Sequence, residues 1–540
     1  MKKLILAITI ISVILVSGIV FNACTSPEET TTTPTTTTPT TTTPTTTAPS
    51  GPQYGGILKL ADPIPASMGF GDPLEVFGPL AFRSSVATER LFIPGEEPGT
   101  YKWILATGYE LAADKSYYDI FLREGVKFHD GTIMDAEAVK WNLDRGLAAG
   151  RSEFAKVASI EAVDTYIVRI NLTSWDNQIF PSFSNDVCMI ISPTAVEENG
   201  LDWIYFHPVG TGAFKFVEIE NNQIIRFERF DDYWGIDEYG NQLPYLDGVE
   251  LHIIVDYTTA EASLKAGEIH GDWMGNFTMA ETFEELPEFH VWVDDGDFLL
   301  LWTYESSNPD SCWSDIRMRQ ALEYALNKEE VYATMGQGYL KPMYNIIKGL
   351  EEVAQLENVP RYYDPEKARD LIQQAGFEGL HFKLYTDSNV WTPPHSDMDI
   401  LFQEQLAAVG LYMEIETVDT GRMQELEATG ALGNDIRSSS MRGNAGNPAA
   451  VVVESLSAGT MYFAGTARPP SWPALEEQLT QTTDWDEQIA ILVQMEKDAY
   501  DFAMVMPKSN NATMGILLKT VMGADFYRYG FDLSGAYFSE

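Results

Sequence analysis

The chain has 540 residues, with 35 Lys and Arg against 79 Asp and Glu, for a formal net charge of −44. A surface this acidic argues against nucleic acid or anionic lipid as the main partner. Hydrophobic residues make up 45% and there are 12 Trp, which is material for a folded body too long for one core, so two or three lobes are expected.

At the N-terminus, Lys2 and Lys3 precede an apolar run from Leu4 to Val16, the pattern of an export signal. The string Phe21-Asn22-Ala23-Cys24 resembles the bacterial lipobox, which implies cleavage before Cys24 and lipidation of its thiol. Phe21 and Asn22 depart from that pattern, and an uncleaved anchor is the alternative. Either one puts the rest of the chain outside the cytoplasm, at the outer face of a membrane. From Thr30 to Pro49 the sequence is almost all Thr, with Pro34, Pro39, Pro44 and Pro49 between. Such a segment has nothing to build a core from, and as extended chain it is a stalk, residues 25–53, reaching up to roughly 90 Å.

The body begins near Tyr54. Tyr117 to Leu122 alternates, with Tyr118, Ile120 and Leu122 on one face of a strand. His129-Asp130-Gly131 makes a turn, and a helix starts after Asp135 as N-cap. Cys188 sits in the apolar string Val187-Cys188-Met189-Ile190 and is expected as a buried thiol, with a bridge to Cys312 left open. Ser314 and Asp315 open a helix whose stripe is Met318, Ala321, Leu322, Ala325 and Leu326. Asp364-Pro365 opens another, burying Ala368, Leu371, Ile372 and Ala375 and ending at Gly376. A further helix from Met398 to Ala408 ends at Gly410, and a strand follows with Leu411, Met413 and Ile415 inward. Irregular alternation of this kind is α/β chemistry with short connections.

Enzyme signatures fail: there is no G-x-S-x-G, H-E-x-x-H or phosphate-loop pattern, and the 7 His show no i, i+4 pair. No catalytic residue, metal or cofactor is expected. His129-Asp130-Gly131 is explained by a turn, and Gly210-Thr211-Gly212 lacks the third glycine of a dinucleotide fingerprint.

Several strings, in order, resemble the family 5 extracellular solute-binding proteins, the peptide and nickel class that serves ABC importers. They are Tyr54-Gly55-Gly56-Ile57-Leu58, Leu122 to Gly131 (LREGVKFHDG), Pro208 to Phe216 (PVGTGAFKF), Asp232-Tyr233-Trp234-Gly235, Ala266-Gly267-Glu268-Ile269, Asp315 to Leu322 and Tyr363 to Ala368. Most are structural: the glycines at 125, 131, 210 and 212 suit tight turns, and Phe128 and Trp234 suit a core. The resemblance implies a periplasmic-binding-protein-like α/β fold with two hinge-connected lobes. One lobe would comprise 54–76, 207–297 and 505–540, with 77–206 as its inserted subdomain; the other would be 298–504. It further implies an extracytoplasmic, monomeric receptor that takes a peptide or other small organic solute to permease and ATPase subunits. A surface hydrolase, or a stalked sensor or adhesin on the same fold, stays open as an alternative.

The family binds its solute between the lobes, which makes three stretches candidates. Trp302 and Tyr304 point one way from a strand, either into a core or at the cleft. Ser388 to Trp391 precedes a helix, and Trp391 is its aromatic candidate. The third runs from Met441 to Pro448. There peptide-binding relatives carry an Asp for the peptide ammonium, whereas this chain has Asn444 and Asn447, with Arg442 as a partner for a carboxylate or as a surface charge.

Overall fold

The computed structural model describes residues 51–76, 80–95, 99–347, 361–387, 395–442, 447–458, 460, 463–527 and 530–539. Cys24 and the stalk, Trp391 and Asn444 lie outside them, as does the side chain of Arg442.

A ten-stranded sheet runs through both lobes. In the first lobe, Ile57–Asp62 pairs in parallel with Gly248–Ile253 and with Gly271–Asp272. In the second, His381–Asp387 is parallel to Tyr412–Val418 and to Ile436–Arg442. The halves are joined by two long antiparallel strands, Phe289–Tyr304 and Met506–Leu518. Their register is regular from Phe289↔Leu518 to Asp294↔Thr513, then resumes at Phe298↔Asn511. Two extra residues on one strand make a bulge, which breaks the ladder and bends the pair where one lobe gives way to the other.

Among the described residues, buried side chains gather into several clusters. Leu58, Leu60, Ile225, Phe227, Val249 and Leu251 build the first-lobe core. The inserted subdomain has its own four-stranded antiparallel sheet, in which Tyr117–Leu122 is an inner strand with Tyr118, Ile120 and Leu122 buried. Helix Ala136–Ala148 packs on that sheet, started by Asp135, whose carboxylate accepts the Ala138 N–H at 3.0 Å. The second lobe is covered on both faces of its sheet. Odd-numbered Leu299 and Leu301 join one cluster, and even-numbered Trp302 and Tyr304 join the other. The latter also holds the expected stripe of helix Ile316–Tyr324 and the buried face of helix Pro365–Ala375. Gly376 ends that second helix at φ +80°. Cys188 and Cys312 are both free and buried, in different cores.

The segment Pro208–Ala213 knots the first lobe to the subdomain. Ser192 N–H donates to Val209 O at 2.8 Å, His129 N–H to Gly210 O at 2.9 Å, and Gly212 N–H to Ala87 O at 3.0 Å. Gly125 and Gly131 have positive φ and make the turns expected of them. Gly210 and Gly212 do not, which corrects the tight-turn expectation for those two. Their constraint is close approach: a Cβ on Gly210 would lie 2.3 Å from Ala87 O, and one on Gly212 would lie 2.8 Å from the Ala87 carbonyl carbon. Phe128 is fully buried, while Trp234 is half-buried, its indole N–H donating to Glu89 at 3.0 Å under the Arg123 guanidinium.

Candidate functional site

Open α/β sheets receive ligands outside the carboxyl ends of their strands. In the first lobe that edge carries Asp62 and Asp272, on neighbouring parallel strands. Asp62 is paired with the buried guanidinium of Arg83 at 2.9 Å. Asp272, 4% exposed, accepts the Met274 N–H at 2.9 Å. Burial pushes its carboxyl up to about 6, against the pull of that hydrogen bond and with Asp62 adding to the rise. Trp273 follows, stacked on Phe82 at 4.6 Å, its indole N–H buried without a partner among the described residues. Phe531 and Phe526 continue the aromatic run to Trp292 on the first crossing strand. Sequence reasoning passed over Asp272-Trp273, since a two-residue strand has no periodicity to reveal it.

Trp302 and Tyr304 take the core rather than the cleft. Trp302 is fully buried, edge-on to Phe402 at 5.6 Å. Tyr304 stacks on Trp313 at 5.6 Å and donates its hydroxyl to Ala503 O at 2.6 Å, and burial pushes that hydroxyl well up. Beside Trp302 lies a fully buried ion pair, Lys508 Nζ to Asp399 Oδ1 at 2.5 Å. Lys508 belongs to the second crossing strand, and Asp399 to helix His395–Ala408. The pair ties that helix to a hinge strand.

Asn447 stands at the N-cap of the short helix Pro448–Val451 but makes no capping bond there. Its amide Nδ2 instead donates to Gln178 Oε1 of the inserted subdomain at 2.9 Å. Next to it, Asn177 reaches the end of helix Trp472–Gln481. Its backbone N–H meets Thr480 O at 2.9 Å, and its Nδ2 meets Leu479 O at 2.7 Å and Thr482 O at 2.8 Å. Gln481 returns a bond from Nε2 to Trp175 O at 3.2 Å. Here the subdomain and the second lobe touch directly. Of the sequence candidates among the described residues, Asn447 is the one at this contact. Arg442 ends the strand Ile436–Arg442, its backbone paired with Phe298 beside the bulge.

A cavity of about 660 Å³ opens elsewhere, between helix Ala136–Ala148 and Pro193–Thr194, lined by Phe128, Ile133, Trp141 and Arg145. None of its lining residues belongs to the crossing strands or the second lobe. Among the described residues, no group of three or more His, Cys, Asp or Glu could hold a metal ion, and no helix is long and apolar enough to cross a membrane.

Residues 100–462 match the family described as bacterial extracellular solute-binding proteins, family 5 middle. The chain is 30% identical over 345 residues to the glutathione-binding protein GsiB of Pectobacterium atrosepticum, a match covering 62% of this chain and 64% of that protein. It is similar in fold to the periplasmic binding protein DppA of Helicobacter pylori in complex with the peptide STSA (TM-score 0.73, 21% identity, 90% of this chain and 99% of that one). It is also similar to NikA of Brucella suis in complex with Fe(III)-EDTA (TM-score 0.75, 21% identity, 89% of this chain and 99% of that one).

Proposed function

The chain belongs to the family 5 bacterial extracellular solute-binding proteins, and from that premise we propose that it captures a small organic solute between its lobes and delivers it to an ABC importer. One observation carries this reading: a single sheet crosses between the two lobes on two strands whose pairing is broken by a bulge at the crossing. Few contacts change when such a joint bends, so a solute that prefers the closed form closes it through its differential affinity. The receptor binds and releases without turnover, acts as a monomer, and is held outside the cytoplasm by a lipid on Cys24 at the base of the Thr/Pro stalk. Cys24→Ser is expected to release the protein from membranes or leave an uncleaved precursor. A wild-type N-terminal peptide with no lipid mass would remove the anchor from this account.

The solute faces Asp272 and Trp273 from the first lobe and Asn447 and Arg442 from the second. Relatives bind glutathione and peptides by name, but Asn447 offers a neutral amide where the family resemblance implies a carboxylate in peptide-binding members. An ammonium desolvated at Asn447, with no counter-charge on that side, costs several kcal/mol. The solute is therefore peptide-like or another small organic molecule, and not a free zwitterionic peptide. Thermal-shift screening against peptides, sugars, opines and metal chelates finds the class. Small-angle scattering with the best binder is expected to show a smaller radius of gyration at saturation, and an unchanged radius with proven binding would remove the closing hinge. Calorimetry with di- to pentapeptides tests the charge argument. Binding that survives N-acetylation supports it; micromolar binding lost on acetylation refutes it and makes Asp272 the first ammonium partner to mutate.

A further inference from the structure

The contact between the inserted subdomain and the second lobe is made of pieces that fit a separable device. We propose that Trp175–Gln178 is a latch that holds the two lobes closed by capping the C-terminal end of helix Trp472–Gln481, and that it engages without solute. This rests on the two-lobed capture reading and adds to it the residues that set the open–closed balance.

The latch is built before it docks. Trp175 is anchored in the subdomain, its indole N–H donating to Tyr118 Oη at 2.7 Å and the Lys115 ammonium lying 3.6 Å from its ring. Asp176 is 3% exposed and bonded to Lys156. Its Oδ1 accepts the N–H groups of Gln178 and Ile179 at 2.9 and 3.0 Å, which fixes the turn. Gln178 Nε2 in turn donates to Asn177 Oδ1 at 2.8 Å, so the Asn177 amide presents its nitrogen outward. Docking orders little that was not already ordered, and its entropic cost is small.

The receiving surface has a need of its own. An α-helix leaves its last four carbonyls without intrahelical partners. In helix Trp472–Gln481, the Thr482 N–H takes Gln478 O at 3.3 Å, and Asn177 takes both Leu479 O and Thr480 O. When the lobes part, water replaces those donors. Each bond then contributes only the modest net gain of an exchanged hydrogen bond. A contact of that strength can hold a closed form and still let go, and a buried apolar seam could not do so as readily.

The test uses the whole chain with no ligand, so it stands or falls apart from the transport reading. Spin labels at two exposed positions, Glu124→Cys and Asp486→Cys, report the distance from subdomain to second lobe by pulsed electron resonance. The wild-type sequence is expected to show a closed population in the absence of solute. Asn177→Ala is expected to shift the ratio toward longer distances roughly tenfold or more, and Gln178→Ala by less, with circular dichroism and melting temperature unchanged. A wild-type protein that is only open without solute overturns the proposal. So does an Asn177→Ala, Gln178→Ala double variant that leaves the distance distribution where it was.

Discussion

Replacing Lys508 by Ala is expected to cost the folded body about 3–5 kcal/mol, read as a lower urea midpoint at unchanged slope. The ammonium and Asp399 are 2.5 Å apart, and neither side chain has measurable exposure. Burial pushes the Asp399 carboxyl up, and the opposing pull of Lys508 and the Trp302 indole offsets only part of that rise. Removing the ammonium leaves a carboxylate inside an apolar cluster, where its cheapest escape is to take a proton. The sign follows: in the variant the folded state binds a proton that the unfolded chain has given up, so stability is fuller at low pH and is lost as pH rises. The gap to wild type should therefore narrow on acidification. A double change, Asp399→Leu with Lys508→Met, should recover most of the loss, since a buried pair contributes little net stability over a well-packed apolar replacement. A single variant that loses less than about 1 kcal/mol, or a double variant as weak as the single, would contradict this account.

Local chemistry was legible in the sequence, and long-range chemistry was not. Asp135 and Asp364 announced their helices because a cap is written within four residues, and both accept the expected backbone N–H. The alternation of Tyr118, Ile120 and Leu122 showed a buried face because the opposite face is wet. Trp302 and Tyr304 were ambiguous for the reverse reason. Their spacing says that they point together, but the second lobe's sheet is covered on both faces, so alternation holds no information about where the solute lies. Gly210 and Gly212 were singled out correctly as special, yet the reason is a neighbouring backbone that no local pattern encodes. The contact of Asn177 with Leu479 spans 302 residues and ends on a main-chain carbonyl, which has no letter in the alphabet. Of the Asn444 and Asn447 region, only the resemblance spoke.

The junction at Gly210–Gly212 makes the second large effect, which should be nearly invisible in the wild-type protein. His129 Nε2 faces Gly212 O at 2.9 Å, so it carries the ring proton, while Nδ1 is buried without a partner among the described residues. A second proton would be an unsatisfied buried charge, and burial pulls the imidazole down to about 4. On the other side of the same segment, Glu89 accepts Thr211 Oγ1 at 2.7 Å, Tyr233 Oη at 2.9 Å and the Trp234 indole at 3.0 Å. Burial outweighs those three donors and pushes its carboxyl up to about 7. Between pH 4 and 6.5 the unfolded chain binds a proton that folded His129 refuses, so the histidine's contribution is lost as pH falls. Between pH 4.5 and 7 folded Glu89 keeps a proton that the unfolded chain releases, so its contribution is lost as pH rises. Each is on the order of 3 kcal/mol, and over the shared window they oppose one another. His129→Gln should expose the glutamate slope, with melting temperature falling from pH 5 toward 7. Glu89→Gln should expose the histidine slope, with melting temperature falling from pH 6.5 toward 4.5. The double variant should run parallel to wild type again. Single variants whose pH profiles run parallel to wild type would mean that these two groups do not carry the linkage, whatever their burial.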